Sequence, residues 1–554
     1  RRPSLGHSTL PDTKADANPF GKLNYLVIDD FENFRLSIRQ MLRSCGADSI
    51  ELVSNASQAI QHCTYNHVDV VLCDFNLGEG KNGQHILEDL RYKKLLKRSS
   101  LFLMVTAETS KEMVMGAREY QPDAYLTKPI NRAVLEKRLS ALISQRNTLM
   151  PINREIDREN YPEAIVLCLQ TLPKQPRYKT WLMKTLGELY FMVGDLAHAQ
   201  KVYDDVLNQR ELSWARLGRC KVLLANRNFD QAVDGLKALI EKHPDYMEAY
   251  DLLAEGLQKQ GRSAQAQQVL EKAAEHSPNA LLRQKHLAEL AGANQDIDTA
   301  SQAWRQTVSL GTYSIHDNAE HYLSLAQSLS DLSEGDLDEE GAARSSEALS
   351  VLTKMEKRFD NDETIGLKSR IVQCRLHAGQ GRHREAEKIL TAVSSELESL
   401  AELPADMGLD FAKTLFRMGR EDQAKRILGD LASRFDNDPD TLQKIENLLD
   451  EPVGFRQKLE ARSMNRDGIK AFEAGDLDAA VEAFNKALAI VPDHAALNLN
   501  LFQGLRKQHQ AEPGNNELIR QCRKHLDQLS HLPPQHRQYR RYTAIKKKLE
   551  GMPQ

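Results

Sequence analysis

Only seven cysteines are spread over 554 residues, at Cys45, Cys63, Cys73, Cys168, Cys220, Cys374 and Cys522, and no two of them form a C-x-x-C pair. An odd, scattered set excludes zinc-finger spacing and argues against a disulfide framework, so they are read as reduced, mostly buried small residues. Aromatic residues make up only 6% of the chain, with 29 Gly and 19 Pro, while 41% is apolar. That balance fits an ordered, soluble, helix-rich protein and argues against disorder or a β-sandwich. The formal net charge is −4, from 74 Lys and Arg against 78 Asp and Glu, so the global basic excess of a nucleic-acid coat protein is missing. No run approaches the ~20 apolar residues of a membrane-spanning helix, which leaves no expectation of membrane insertion. With no signal-peptide apolar core near the N-terminus either, a cytoplasmic location is expected. At roughly three to four times a typical domain, the length calls for several domains or one domain followed by a repeat array.

Residues 1–21 hold Pro3, Pro11 and Pro19 among small polar residues and read as a disordered N-terminal segment. From 22 to 146 the pattern changes. Short apolar runs at Tyr25–Ile28, Ile50–Val53, Val68–Leu72, Leu101–Val105 and Ala124–Leu126 alternate with helical spacing such as Phe34, Ile38, Met41 and Leu42. A last helix carries Val134, Leu135, Leu139 and Leu142. Continuous apolar runs alternating with helices mean strands buried on both faces, hence a doubly wound, five-stranded parallel α/β domain.

Beyond it, alanines recur at Ala164, Ala199, Ala232, Ala266 and Ala300. The clearest unit runs Tyr250, Leu253, Ala254, Leu257, Gly261, Ala266, Leu270, Ala273, Pro278, and echoes occur at Gly194, Gly419 and Gly475. Small residues let paired helices approach, glycine makes the turn between them, and proline ends the second. Such pairs must stack to bury their apolar faces. The spacing resembles the tetratricopeptide repeat, which implies an all-α solenoid over 147–510; the period breaks at an acidic insertion near 331–342, read as a loop, and again at 436–461, where an extra helix is expected. Residues 511–554 read as capping helices with a basic segment, and Arg146 to Pro151 as a short joint between the two parts.

The strand ends carry the chemistry, because ligands of open parallel sheets bind at the carboxyl edge. The first run ends in Asp29 and Asp30, the third in Asp74, the fourth in Thr106 and Ala107, the fifth in Lys128 and Pro129. Three converging carboxylates call for an oxygen-preferring divalent cation such as Mg²⁺ or Mn²⁺, and a lysine with a threonine hydroxyl suits a phosphoryl group.

Asp29-Asp30, Asp74-Phe75-Asn76, Thr106-Ala107-Glu108 and Tyr125-Leu126-Thr127-Lys128-Pro129 together resemble the receiver domain of bacterial two-component response regulators, a flavodoxin-like fold. The resemblance implies Asp74 as phosphoacceptor, with Asp29, Asp30, Asp74 and the Asn76 carbonyl as metal ligands. It implies Lys128 and Thr106 as phosphoryl-stabilising groups, Thr106 and Tyr125 as switch residues, and Asn76 and Glu108 as residues tuning phosphate lifetime. A cis bond before Pro129 follows from the same likeness. So does a phosphodonor that is a histidine kinase or histidine phosphotransfer protein, and a homodimer through the helices after the fourth and fifth strands. Taken alone, Tyr125 reads as an aromatic packed at a strand end. His85 and His286 lack partners at metal spacing and read as surface or packing histidines.

No P-loop, winged-helix, cyclase or phosphodiesterase motif follows, so no enzyme is expected beyond self-phosphorylation and autodephosphorylation at Asp74. The expected output is binding of a protein or peptide on the concave face of the solenoid, controlled by phosphorylation. Two other readings stand beside it. One is a constitutive repeat scaffold with the receiver as docking module. The other is nucleic-acid binding through the basic run from His536 to Tyr542 and Lys546–Lys548, against which the net acidity weighs.

Overall fold

The computed structural model describes residues 18–107, 121–294, 296–334, 337–400, 402–449, 461, 464–465, 467–469, 471–490, 494–530 and 538–550. Five strands, β1 (Asn24–Ile28), β2 (Ser49–Val53), β3 (Val70–Asp74), β4 (Leu101–Thr106) and β5 (Ala124–Thr127), form one parallel sheet in the order β2-β1-β3-β4-β5. β3 is buried at all five positions, as a strand covered on both faces must be.

One face packs Val27, Leu72 and Leu103 against α1 (Glu32–Ser44) and α4 (Arg132–Asp157) through Ile38, Leu42, Leu135, Leu139 and Ile143. The other packs Leu26, Ile28, Val71 and Phe102 against α2 (Ala56–Tyr65) and α3 (Gly83–Tyr92) through Ala59, Ile86, Leu87 and Leu90. The helix expected after the fourth strand falls at 108–120, outside the described residues.

Four local expectations change. The third strand begins at Val70, not Val68, because the Asp69 carboxylate accepts the Asn24 amide (3.0 Å) and closes the strand's start. Asn18–Gly21 are not a disordered lead-in. Phe20 is buried, its carbonyl accepts the Tyr25 hydroxyl (3.2 Å), and Asn18 donates to the Gly46 carbonyl (2.8 Å). Val134 faces solvent, since Leu135 and Leu139 at i, i+4 fix the buried stripe one residue away.

The fourth change is the joint at 146–151, which is helical. α4 is capped by the Asn131 side chain, which accepts from the Val134 amide, and runs 26 residues to Asp157 with Pro151 inside it. Arg146 is buried. Its Nε donates to the Ser99 carbonyl (2.6 Å) and its Nη2 pairs with the Asp69 carboxylate. A few residues on, Leu149 and Ile152 of the same helix pack with Ala164, Cys168, Leu182 and Leu186 of the first repeat helices. One helix therefore serves two cores.

The chain divides into two compact units, 1–283 with 310–317, and 284–309 with 318–554. In the first, helix pairs such as Lys179–Met192 with Leu196–Gln209 and Met247–Lys259 with Ser263–His276 follow the sheet domain. Ala164, Ala199, Ala232 and Ala266 are fully buried between helices, and Gly194 and Gly261 make the turns at positive φ. In the second, pairs such as Glu363–Gly379 with His383–Glu398 and Ala405–Arg417 with Glu421–Arg434 repeat the design, with Gly381 and Gly419 at the turns.

Of the acidic stretch near 331–342, expected as a loop, residues 331–333 and 339–342 are helical. Asp331 lies within the helix Ala319–Ser333, and Asp338 caps the next helix, Glu339–Arg358. Asp331 binds Lys413 (2.8 Å) and Arg417 (2.7 Å). Burial opposes its charge, but these cations and Arg375 hold it well below the usual carboxylate range. The extra helix expected within 436–461 is Pro439–Leu449, and the chain ends in helices Asn516–Asp527 and Tyr539–Glu550.

Candidate functional site

β1 and β3 are neighbours although β2 lies between them in sequence, so the strand order reverses at their carboxyl ends and opens a crevice there. Asp29 and Asp30 follow β1, and Asp74 closes β3. Ligand oxygens of the three carboxylates lie within 4.8 Å of one another, with Asp29 and Asp74 buried and Asp30 exposed. Lys128, just past β5, bridges the two buried carboxylates, its Nζ 2.8 Å from Asp29 Oδ2 and 2.8 Å from Asp74 Oδ2. The bond from Lys128 to Pro129 is cis. The Lys128 amide donates to the Thr106 carbonyl (2.8 Å) and the Phe75 amide to the Val105 carbonyl (2.8 Å), so the loops bearing the site are tied to the sheet edge.

Burial pushes the Asp74 carboxyl up, the Lys128 hydrogen bond and charge pull it down, and the Asp29 charge pushes it up again, leaving it above the ordinary value. Burial opposes the charge on Lys128 too, but its hydrogen bonds to Asp29 and Asp74 outweigh that and hold the ammonium above its usual range. Three carboxylates against this bridging ammonium leave a negative, all-oxygen donor set, which fits a hard divalent cation.

Asn76 lies in the loop after β3, its side-chain oxygen accepting the Gly78 amide (3.2 Å). Thr106 ends β4 opposite Thr127 of β5. Tyr125 is paired in register with Met104 and is 36% exposed, an outward-facing ring. Glu108 lies outside the described residues.

Three contributors carry no motif in the sequence. Phe34 of α1 places its ring 4.1 Å from Lys128 Nζ, a cation–π contact on the ammonium that faces the acids. Arg35 donates to the Asp29 carbonyl (2.5 Å) and holds the β1 end. Gly83 opens α3 so close to β3 that a Cβ there would stand 2.4 Å from the Asp74 carbonyl oxygen. Phe34 was legible only as one apolar residue of a helical stripe.

The C-terminal basic run reads differently in three dimensions. Tyr542, Ile545 and Leu549 are buried and Tyr539 packs beside them, so these tyrosines belong to a core and are not a stacking platform for bases. His536 and Arg537 lie outside the described residues.

Comparison with known proteins agrees with this layout. Residues 25–140 match the response regulator receiver domain, and residues 216–246 and 247–272 each match the tetratricopeptide repeat. The chemotaxis protein CheY-3 of Vibrio cholerae serotype O1 is 26% identical over 123 residues, covering 22% of this chain and 93% of that protein. The chemotaxis protein CheY of Pseudomonas aeruginosa is 26% identical over 125 residues, 23% of this chain and 99% of that one. Among solved structures, Vibrio cholerae CheY4 matches at 24% identity with a TM-score of 0.21, covering 22% of this chain and 98% of its own. The chain thus carries a receiver domain followed by tetratricopeptide repeats, and these relatives account for about a fifth of its length.

Proposed function

We propose that this protein is a phosphorylation-controlled adaptor: phosphate taken up at Asp74 of the receiver governs protein binding by the helical repeats. The observation that carries the reading is the Lys128 ammonium held between Asp29 and Asp74 beside Asp30 at the carboxyl edge of the sheet. An Asp74 carboxylate oxygen attacks phosphorus in a phosphohistidine or small phosphodonor, forming an acyl phosphate while the bond to the leaving group breaks. Lys128 donates to the transferring group as its charge is handed over, and Asp29, Asp30 and Asp74, with the Asn76 carbonyl, would hold Mg²⁺. When bound, Mg²⁺ offsets the negative charge gathered there. The donor is a histidine kinase or histidine phosphotransfer protein, and Thr106 and Tyr125 relay the change.

α4 gives the coupling a physical form, since Arg146 is fixed in the receiver and Leu149 in the first repeat core on the same helix. The repeats are expected to present a peptide or helix-binding surface.

The test is capture of partners by the full chain with and without beryllofluoride and Mg²⁺, with Asp74→Asn as control. A partner whose binding changes with the mimic in wild type only supports the adaptor. Identical partners in every condition overturn phospho-control and leave a constitutive scaffold.

A further inference from the structure

A short segment, Thr312–Asp317, joins the helices Ile297–Gly311 and Ala319–Ser333, yet it belongs to the first compact unit. It sits on α3 of the receiver. Both oxygens of Glu88 are taken by it: Oε2 accepts the Ser314 hydroxyl (3.1 Å) and Oε1 pairs with His316 Nε2 (3.3 Å), with the Glu88 side chain 9% exposed. Tyr313 meets His85 edge-on at 6.2 Å, and His316 meets Tyr92 at 5.9 Å. The segment keeps its own turn, with the Ser314 amide on the Gly311 carbonyl (3.0 Å) and the His316 amide on Ser314 Oγ (3.1 Å).

The face it occupies is joined to the phosphoacceptor through one loop. Residues 75–82 run from Asp74 to the start of α3, and Leu77, Gly80 and Lys81 of that loop line, with Tyr313, a single surface depression beside Ala56 and Ile60 of α2. At the loop's far end Gly83 leaves no space against the Asp74 carbonyl and the Met104 sulfur, its amide donates to the Phe75 carbonyl (2.8 Å), and Lys81 is paired with buried Asp89 next to Glu88. His85 accepts the Asn82 amide through Nδ1 (3.1 Å) and stays neutral, since burial and the Lys81 charge lower it to about 4. A displacement of the Asp74 backbone therefore meets the start of α3 directly, with no slack between them.

We propose that residues 312–317 form an intramolecular docking segment that reads the state of Asp74: it is held on α3 while Lys128 is bonded to the Asp74 carboxylate, and released when that carboxylate carries phosphate. The inference rests on the reading of Asp74 as phosphoacceptor and adds a route and a direction to it. A phosphoryl group on Asp74 replaces the direct contact of 2.8 Å between Lys128 and Asp74 with a longer bridge. A metal held by the acids and the Asn76 carbonyl would draw the same loop toward them. Both changes remodel the wall that Tyr313 closes. Because the segment continues at each end into a repeat helix, its release frees the ends of both. By reciprocity, the factor by which phosphate at Asp74 weakens the docking is the factor by which docking weakens phosphate binding, so a variant that cannot dock binds the phosphoryl mimic more tightly.

The experiment uses the full chain and beryllofluoride with Mg²⁺. In wild type, the amides of Ser314, His316 and Asp317 should exchange with solvent about 5-fold faster or more when the mimic is bound, and Asp74→Asn should show no change. His316→Gln and Ser314→Ala, both at the surface of the fold, should bind beryllofluoride about 5-fold tighter than wild type. If beryllofluoride binds wild type yet the three amides exchange at an unchanged rate, or both variants bind it with wild-type affinity, the docking segment is not coupled and this inference falls while the phosphoacceptor reading stands. If wild type binds no beryllofluoride, the phosphoacceptor reading falls and takes this inference with it.

Discussion

Asp74 keeps its charge against burial and against Asp29, so its carboxyl holds a proton more tightly in the folded chain than in the unfolded one. The native state then binds more protons than the unfolded state between the ordinary value of 3.8 and the raised one, and stability falls as pH rises through that window. Asp74→Asn removes this loss. It should melt higher than wild type at pH 7 in thermal unfolding, and the advantage should vanish below pH 4. The same variant should take up no phosphate from a small phosphodonor, and uptake at the receiver by folded Asp74→Asn would refute the choice of acceptor. Lys128→Ala should keep the fold but slow phosphate uptake by about 100-fold or more, measured by single-turnover labelling, because a preorganised cation is then missing from the transferring group. These side chains were legible in the sequence because each closes an apolar run, and a strand's end fixes where its last side chain points. Phe34 and Arg35 were not, since an aromatic or arginine on a helix looks the same whether it faces solvent or an active centre.

Helices approach closely in this protein where a side chain is absent. Gly187 and Gly218, on the helices Lys179–Met192 and Ser213–Ala225, flank the ring of Tyr203 so tightly that a Cβ would stand 2.7 Å and 2.3 Å from it. Gly218→Ala should cost about 1–3 kcal/mol in urea unfolding, and combining it with Tyr203→Leu should cost less than the sum of the two. In the second unit Arg375 is fully buried on the helix Glu363–Gly379, paired with Asp410 and hydrogen-bonded towards Thr414 (3.4 Å). Arg375→Met leaves Asp410 without its cation and should destabilise by about 3–5 kcal/mol, read in the same way. The recurring alanines and turn glycines announced the paired helices, because close approach and a positive φ each demand one residue type. The ion network had no such signal. Asp331, Arg375 and Arg417 are lone charges on amphipathic helices, and the acidic stretch near 331–342 read as a loop when its first residue is a buried partner of Lys413 and Arg417.

Across the whole molecule the decisive element is α4, whose 26 residues belong to the receiver core as far as Ile143 and to the first repeat core from Leu149. Inserting Gly-Gly-Ser after Thr148 should leave beryllofluoride binding at the receiver intact while abolishing its effect on partner capture; retention of the effect would place the coupling elsewhere. By itself the sequence determined the parallel sheet, the acids and lysine at its edge, and the helical repeats. Each of these is written in a period of apolar residues or in the residue that ends it, and such periods describe a single element and its neighbours. Only the tertiary structure decided that the expected joint is helix, that Arg146 reaches Asp69 and Ser99, and that Ser314 and His316 reach Glu88. The hydrogen bonds of Arg146 and Ser314 join residues 47 to 226 positions apart, and which surfaces meet over such separations depends on how the packed elements are arranged, which no local pattern of a lone arginine, serine or histidine records.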